Sequence, residues 1–222
     1  MPGSEKEYKY WGKRASTHDN DVLYIVGPTV YQEAKGWLIN QFKDTDAVLE
    51  LGCGAGFFSE MIADKVRQLT ATDLAPEMIE QAKGKLSQYG NVKVQREDCY
   101  DTSFGDNTFD ATLLVNLIHI VKDPIGVLRE SHRVLKDDGR VVIADLTGYR
   151  MTFLKKIALG MRYLKRFGKP APYSRNLTLD GLTQIVKEAG FVVEESELIG
   201  QDTKAVCVRG RKAMSRGIQN ER

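Results

Sequence analysis

The residues with the most chemical content occupy nine consecutive positions, Val48-Leu49-Glu50-Leu51-Gly52-Cys53-Gly54-Ala55-Gly56. Apolar residues flank one carboxylate, and three glycines follow at alternate positions. The pattern predicts a buried strand, a tight turn bare of side chains, and a helix from about Gly56 to Lys65 with Phe57, Phe58, Met61 and Ile62 on one side. Such a loop brings a ligand's polar groups onto backbone N–H groups at a helix N-terminus. The spacing excludes two common ligands. A dinucleotide loop needs Gly-x-Gly-x-x-Gly, and Phe57 stands where its third glycine belongs. The Gly-x-x-x-x-Gly-Lys-Ser/Thr of a phosphate cradle is not present. Glu50 would repel a pyrophosphate and suits a ligand carrying an ammonium and a sulfonium. Three glycines in five residues also cost backbone entropy, which weighs against a purely structural turn.

Other chemistry-bearing residues fall at regular intervals downstream, and alternating strands and helices place them. Gln68 to Asp73 reads as a second strand ending in an acid. Ala75-Pro76-Glu77 opens a helix whose apolar stripe is Met78, Ile79, Ala82 and Leu86. Val92 to Gln95 is a third strand followed by Asp98. Phe109 to Val115 is an apolar fourth strand, buried on both faces, with Asn116 and His119 after it. A helix over Pro124 to Val134 and the turn Lys136-Asp137-Asp138-Gly139 lead to a fifth strand, Gly139 to Leu146. A helix over Leu179 to Ala189 ends at Gly190. Phe191 to Leu198 and Lys204 to Arg209 then alternate like an antiparallel pair. The expected fold is α/β: a doubly wound, mostly parallel seven-stranded sheet with helices on both faces and an antiparallel C-terminal edge hairpin. Ligands of such sheets bind at the carboxyl ends of the strands, where Glu50, Asp73, Asp98, Asn116 and His119 fall. The expected organisation is one domain, 1–222, with an N-terminal lid segment, 1–45, and a substrate-side insertion, 148–174.

The 222 residues suffice for one domain with a sizeable core. A net charge of +2 implies no global attraction to nucleic acid. No apolar run is long enough for a transmembrane helix, and Met1 to Lys13 lacks an apolar signal core. Cys53, Cys99 and Cys207 form no Cys-x-x-Cys pair, which argues against a disulfide framework or structural zinc. The natural reading is a cytoplasmic protein with no metal.

With these residues in place, the chain resembles class I S-adenosylmethionine-dependent methyltransferases of the small-molecule or quinone type. The resemblance runs from about Tyr10 to Arg209 and is densest from Val48 to Leu146. It implies an enzyme with S-adenosylmethionine as cofactor and S-adenosylhomocysteine as product. Glu50, Gly52, Cys53, Gly54 and Gly56 would hold the methionine part, with Glu50 facing the ammonium through water. Asp73 would take both ribose hydroxyls, a task that suits a carboxylate's two acceptor oxygens. Leu74 and Met78 would flank the adenine, Asp98 would accept from its amino group, and the Cys99 N–H would meet a ring nitrogen. Asn116, Leu117, Ile118 and His119 would lie behind the sulfonium. Arg133-Val134-Leu135-Lys136, followed by Gly139-Arg140-Val141-Val142, resembles the family's lead into the fifth strand. Tyr10-Trp11-Gly12-Lys13-Arg14-Ala15-Ser16-Thr17-His18-Asp19 resembles the family's opening, except that relatives carry tyrosine where His18 stands.

Each residue also has a plainer reading. Asp73 could cap a helix, Asp98 could be a solvated loop acid, and Cys53 could be a small packed residue. His119 is the candidate proton acceptor, against a buried histidine satisfied by backbone. Methyl transfer rests largely on positioning, and a base is needed only if the acceptor loses its proton at or before attack. The expected reaction is in-line transfer to a small-molecule or lipophilic acceptor; the alternative is a non-catalytic cofactor-binding scaffold or partner subunit. Tyr10, His18, Tyr24 and His119 are candidates for the acceptor side. The basic tail from Arg209 is short, and the Asn/Asp-Pro-Pro-aromatic motif of target-base methylation does not follow the fourth strand, so nucleic acid is not expected as acceptor. The chain is expected to act as a monomer or homodimer.

Arg150 to Lys169 holds seven Lys or Arg and no acid. A helical wheel groups Leu154, Ile157, Met161 and Leu164 opposite Lys155, Arg162, Arg166 and Lys169. The plainer expectation is a lid helix whose apolar side covers the site. The sharper one is a peripheral membrane contact through 150–169.

Overall fold

A computed structural model describes residues 5–213. Three helices open the chain, α1 (Glu5–Gly12), α2 (His18–Val26) and α3 (Pro28–Ile39). Pro28 at the first position of α3 supplies a preset φ where a missing N–H costs nothing. The strands are β1 (Ala47–Leu51), β2 (Gln68–Asp73), β3 (Val92–Arg96), β4 (Phe109–Val115), β5 (Leu135–Thr147), β6 (Phe191–Ile199) and β7 (Lys204–Lys212). They form one sheet in the order β3-β2-β1-β4-β5-β7-β6. β1 to β5 pair in parallel, and β7 pairs antiparallel with both β5 and β6. The strand order reverses between β1 and β4, so the crevice of the sheet opens at Gly52 and Asn116.

The remaining helices are α4 (Ser59–Ile62), α5 (Pro76–Leu86), α6 (Pro124–Val134), α7 (Phe153–Phe167) and α8 (Leu179–Glu188). Alternation along β1 divides the core. Leu49 and Leu51 pack with Val127 and Leu128 of α6 and Leu182 and Val186 of α8. Val48 faces the other way, with Trp37 and Leu38 of α3 and Met61 and Ile62 of α4. α5 lays Ala82 and Leu86 against Ala71 of β2 and against Cys53.

Three boundaries differ from the sequence expectation by more than one residue. The helix after the glycine loop is one turn, Ser59–Ile62, continued as a 3-10 turn over Ala63–Lys65. Residues 54–58 stay in turns, where Phe57 packs on Tyr31 and the Ser59 hydroxyl donates to the Glu50 carboxylate. β5 begins at Leu135, directly after α6. Its pairing with β4 jumps from Phe109↔Leu135 to Ala111↔Arg140, so Lys136 to Gly139 form the expected turn as a bulge inside the strand. β7 runs on to Lys212, and Arg209 and Arg211 pair with Glu194, so these two belong to the sheet and not to a tail. The tail beyond 213 lies outside the described residues.

Candidate functional site

One cavity lies over the crevice. Its floor is Gly52, Cys53, Gly54 and Thr72, with Asp73, Leu74 and Met78 on one side and Asn116, Leu117 and His119 on the other. Asp98 and Cys99 close it beyond β3, and His18 faces it from α2. The structure therefore brings residues from four strand exits into one space.

The glycine loop is tied to the end of β2. The Cys53 N–H donates to the Thr72 carbonyl at 2.8 Å, and the Gly54 N–H donates to Asp73 Oδ2 at 3.0 Å. Asp73 Oδ1 accepts from the Ala75 N–H at 2.8 Å, which joins the loop to the first turn of α5. Burial raises Asp73 above the ordinary carboxylate range, and the N–H groups of Ala75 and Gly54 pull it back. Gly54 has φ +55°, and a Cβ there would lie 2.8 Å from His18 Cε1. The His18 imidazole thus rests on bare backbone, a contact no other residue type at position 54 would allow.

Glu50 is 1 % exposed and does not line the cavity; its carboxylate is held by the Ser59 hydroxyl. Burial lifts it to about 7, and Asp73 adds to the lift while Ser59 opposes it. Gly56 points away as well, toward Leu86 and Ala82 of α5. Burial also raises the Cys53 thiol well above its usual range, as befits a packed side chain and not a nucleophile.

The carboxylate of Asp98 accepts from the Tyr100 N–H at 3.1 Å, in a turn closed by Asp101 N–H donating to the Asp98 carbonyl. Asn116 has φ +54°, and its side-chain oxygen accepts from the Leu146 N–H at 3.0 Å, binding the exit of β4 to β5. The His119 Nδ1 meets a carboxylate of Asp145, a fully buried residue near the end of β5.

The cavity's outer wall joins the two segments that the sequence marks as insertions. Tyr8 and Trp11 of α1, Val22 and Ile25 of α2, and Tyr163 and Phe167 of α7 all line it. The Trp11 and Phe167 rings meet edge to face at 5.7 Å. Arg14 donates to the Phe167 carbonyl at 2.6 Å and lies over the Tyr10 ring. The Tyr10 hydroxyl donates to the Lys169 carbonyl, so Tyr10 straps α1 to α7 and does not line the cavity. Tyr24 also lies off the cavity, beneath the Arg166 guanidinium.

The orientation of α7 reverses the expectation for a lid helix. Phe153 is 75 % exposed, Leu154 76 % and Met161 60 %, and Ile157 and Leu164 are exposed beside them. The basic side turns inward: Lys155 pairs with Asp202 at 2.8 Å, Arg162 donates to the Thr203 hydroxyl and Arg166 faces Asp21. The wheel identifies which residues share a face; the acids on α2 and the β6–β7 turn decide which face points inward.

Trp11 belongs to the N-terminal stretch that resembles the family's opening, and Tyr8 lies just before it. Tyr163 and Phe167 lie between the two stripes of the wheel and carried no separate signal. Asp145 carried the same signal as Asp73, an acid near the end of an apolar strand, and sequence reasoning passed over it. Among the described residues, no group of three or more His, Cys, Asp or Glu side chains is arranged to hold a metal ion, and no helix is long and apolar enough to cross a membrane.

A mostly parallel seven-stranded sheet with a reversed C-terminal pair, and a ligand cavity at its switch point, defines the methyltransferase class of α/β proteins, and comparisons with known proteins agree. The family described as "Methyltransferase domain" matches residues 49–143. The ubiquinone biosynthesis O-methyltransferase of Xanthomonas axonopodis pv. citri is 30% identical over 161 residues, covering 66% of each chain. The demethylmenaquinone methyltransferase of Tropheryma whipplei is 31% identical over 134 residues, covering 58% of this chain and 56% of that one. An S-adenosylmethionine-dependent methyltransferase structure from Thermotoga maritima superposes with a TM-score of 0.70 at 19% identity, over 93% of this chain and all of that one. The chain belongs to the class I S-adenosylmethionine-dependent methyltransferase family. It spans 66% and 56% of the lengths of the two curated relatives.

Proposed function

We propose that the protein is an S-adenosylmethionine-dependent methyltransferase acting on a small, lipophilic acceptor. The observation that carries this reading is the convergence of Gly52, Gly54, Asp73, Asp98 and Asn116 on one cavity at the sheet's switch point. The residues fit the cofactor. Backbone without side chains at Gly52 and Gly54 faces the space where Cβ atoms would strike Leu117 and His18. Asp73 offers two acceptor oxygens for ribose hydroxyls. Leu74 and Met78 give the adenine apolar walls, and Asp98 an acceptor for its amino group. When bound, the cofactor supplies an electrophilic methyl on a sulfonium. Buried Glu50 supports the loop from beneath through its bond with the Ser59 hydroxyl, and Gly56 sets the loop against α5. Trp11, Val22, Ile25, Tyr163 and Phe167 exclude water and receive the acceptor, whose orientation supplies much of the rate.

Calorimetry with S-adenosylhomocysteine, followed by turnover against quinols, phenols, thiols and amines, tests this. Binding with methylation of one acceptor class is expected. Absence of binding removes the reading, and binding without turnover of any class leaves a scaffold.

The protein is further read as cytoplasmic, a monomer or homodimer, and a peripheral membrane binder through 150–169. A helix that pairs Lys155, Arg162 and Arg166 with the body and displays Phe153, Leu154, Met161 and Leu164 has its apolar side set for a partner. Exposed Lys156 and Lys165 and the absence of acids from Arg150 to Lys169 suit an anionic lipid surface. The wild-type protein is expected to co-sediment with phosphatidylglycerol vesicles at low salt. Leu154→Asp with Met161→Asp is expected to cut partitioning at least roughly tenfold, since each buried large apolar side chain contributes about 1.5–3 kcal/mol. No co-sedimentation of the wild type would sink the idea.

A further inference from the structure

We infer that Asp145 and His119 form a proton-accepting pair, and that the acceptor is therefore a hydroxyl compound that loses its proton on attack. The inference rests on the reading of the cavity as a methyl-transfer site and specifies what that site methylates.

Asp145 is fully buried, and its carboxylate meets three donors. Oδ2 accepts from the Ile118 N–H and Oδ1 from the His119 N–H, both at 3.3 Å, and Oδ1 also meets His119 Nδ1. An ionised carboxylate only accepts, so Nδ1 carries the ring proton and Nε2 the lone pair. His119 lines the cavity beside Asn116 and Ile120. The ring's backbone is fixed from the opposite side, where the Arg175 N–H donates to the His119 carbonyl at 2.9 Å and the Arg175 guanidinium holds the carbonyls of Val121 and Lys122. The protein's own groups thus hold the imidazole in one orientation, the arrangement a base needs.

A capping role for Asp145 explains less. Two backbone N–H groups would be served by a neutral side-chain oxygen, whereas a buried charge is costly unless something needs it. An imidazolium needs it. The acceptor's O–H bond breaks, and its proton passes to Nε2. The oxygen's electron pair forms the new bond to the methyl carbon. The carbon–sulfur bond breaks, leaving a neutral thioether and an imidazolium paired with the Asp145 carboxylate. An acceptor that arrives already ionised, such as an acidic thiol, would leave the pair idle. His119 is thereby the catalytic base and Asp145 a positioning residue.

The test compares the wild-type protein with His119→Gln and Asp145→Asn. Each is first titrated with S-adenosylhomocysteine by calorimetry. Failure of the wild type to bind it refutes the methyl-transfer reading, and this pair's role with it. 4-Nitrocatechol is then added to the S-adenosylhomocysteine-loaded proteins, and the absorbance of its anion is followed. Wild type is expected to raise the anionic fraction above that of free probe in the same buffer, and both variants to return it to the free value. In turnover, His119→Gln is expected to lower kcat for a catechol at least about 100-fold with KM little changed, the range of a lost general base. For a thiol ionised at the assay pH the loss should stay within about threefold. Equal losses for catechol and thiol, or an anionic fraction unmoved by wild-type protein, would overturn the pair. Should Asp145→Asn fail to fold, the wild-type spectrum and His119→Gln decide alone.

Discussion

A Gly54→Val protein is expected to keep its sheet and lose S-adenosylhomocysteine. Gly54 sits at φ +55°, where a β-branched residue is strained by about 1–3 kcal/mol. Its Cβ would also lie 2.8 Å from His18 Cε1, so either the imidazole or the loop must move. Movement of the loop breaks the 3.0 Å bond from the Gly54 N–H to Asp73 and shifts the backbone that faces the ligand. The core packs elsewhere, on Leu49, Leu51, Leu114 and their helices, and does not depend on this turn. Calorimetry should show affinity reduced at least about 100-fold, equivalent to about 2.7 kcal/mol, while far-ultraviolet circular dichroism is retained. Gly54→Ala, which meets the same strain with a smaller side chain, should fall between. Unchanged affinity in the valine protein would refute the assignment of this loop to the methionine end of the cofactor.

The parts legible in the sequence are those where a local pattern and the tertiary structure agree. Gln68–Asp73 and Phe109–Val115 are strands with the expected bounds, because each is a short run with a buried interior and a polar residue at or just after its end. Pro124–Val134 likewise starts at its proline, where Asp123 caps the helix by accepting from the Gly126 N–H. Groups at strand exits converge for the same reason: β1, β2 and β4 are parallel neighbours, so their ends share one edge. What depended on distant charges was not legible. Nothing within Phe153–Phe167 reveals that Asp21 and Asp202, far away in sequence, draw its cations inward and turn its apolar stripe out. Nor does the glycine motif reveal that Glu50 is sealed by Ser59 while its neighbours face the cavity; the odd–even alternation of β1 leaves both sides buried. Tyr10 and Tyr24 looked available because they are aromatic and N-terminal, yet Lys169 and Arg166 occupy them.

Removing the Asp73 carboxylate is expected to produce the second large effect, and its two consequences can be separated. The two oxygens accept from the N–H groups of Gly54 and Ala75. Asp73→Ala leaves both donors without this acceptor, at about 1–3 kcal/mol for each that stays buried, so the melting temperature should fall. Asp73→Asn keeps one acceptor oxygen but turns an NH2 group toward the other N–H, and should lie between wild type and alanine. A purely structural Asp73 would stop there. If it also binds the ribose, the loss depends on the ligand's hydroxyls. Wild type should prefer adenosine to 2′,3′-dideoxyadenosine by at least about tenfold, roughly one good charge-assisted hydrogen bond. Asp73→Ala should bind the two alike. Discrimination that survives in the alanine protein would separate Asp73 from the ribose and leave it as the strap between loop and helix. Discrimination that vanishes, while the dideoxy compound binds both proteins equally, isolates the ribose contact from the folding cost.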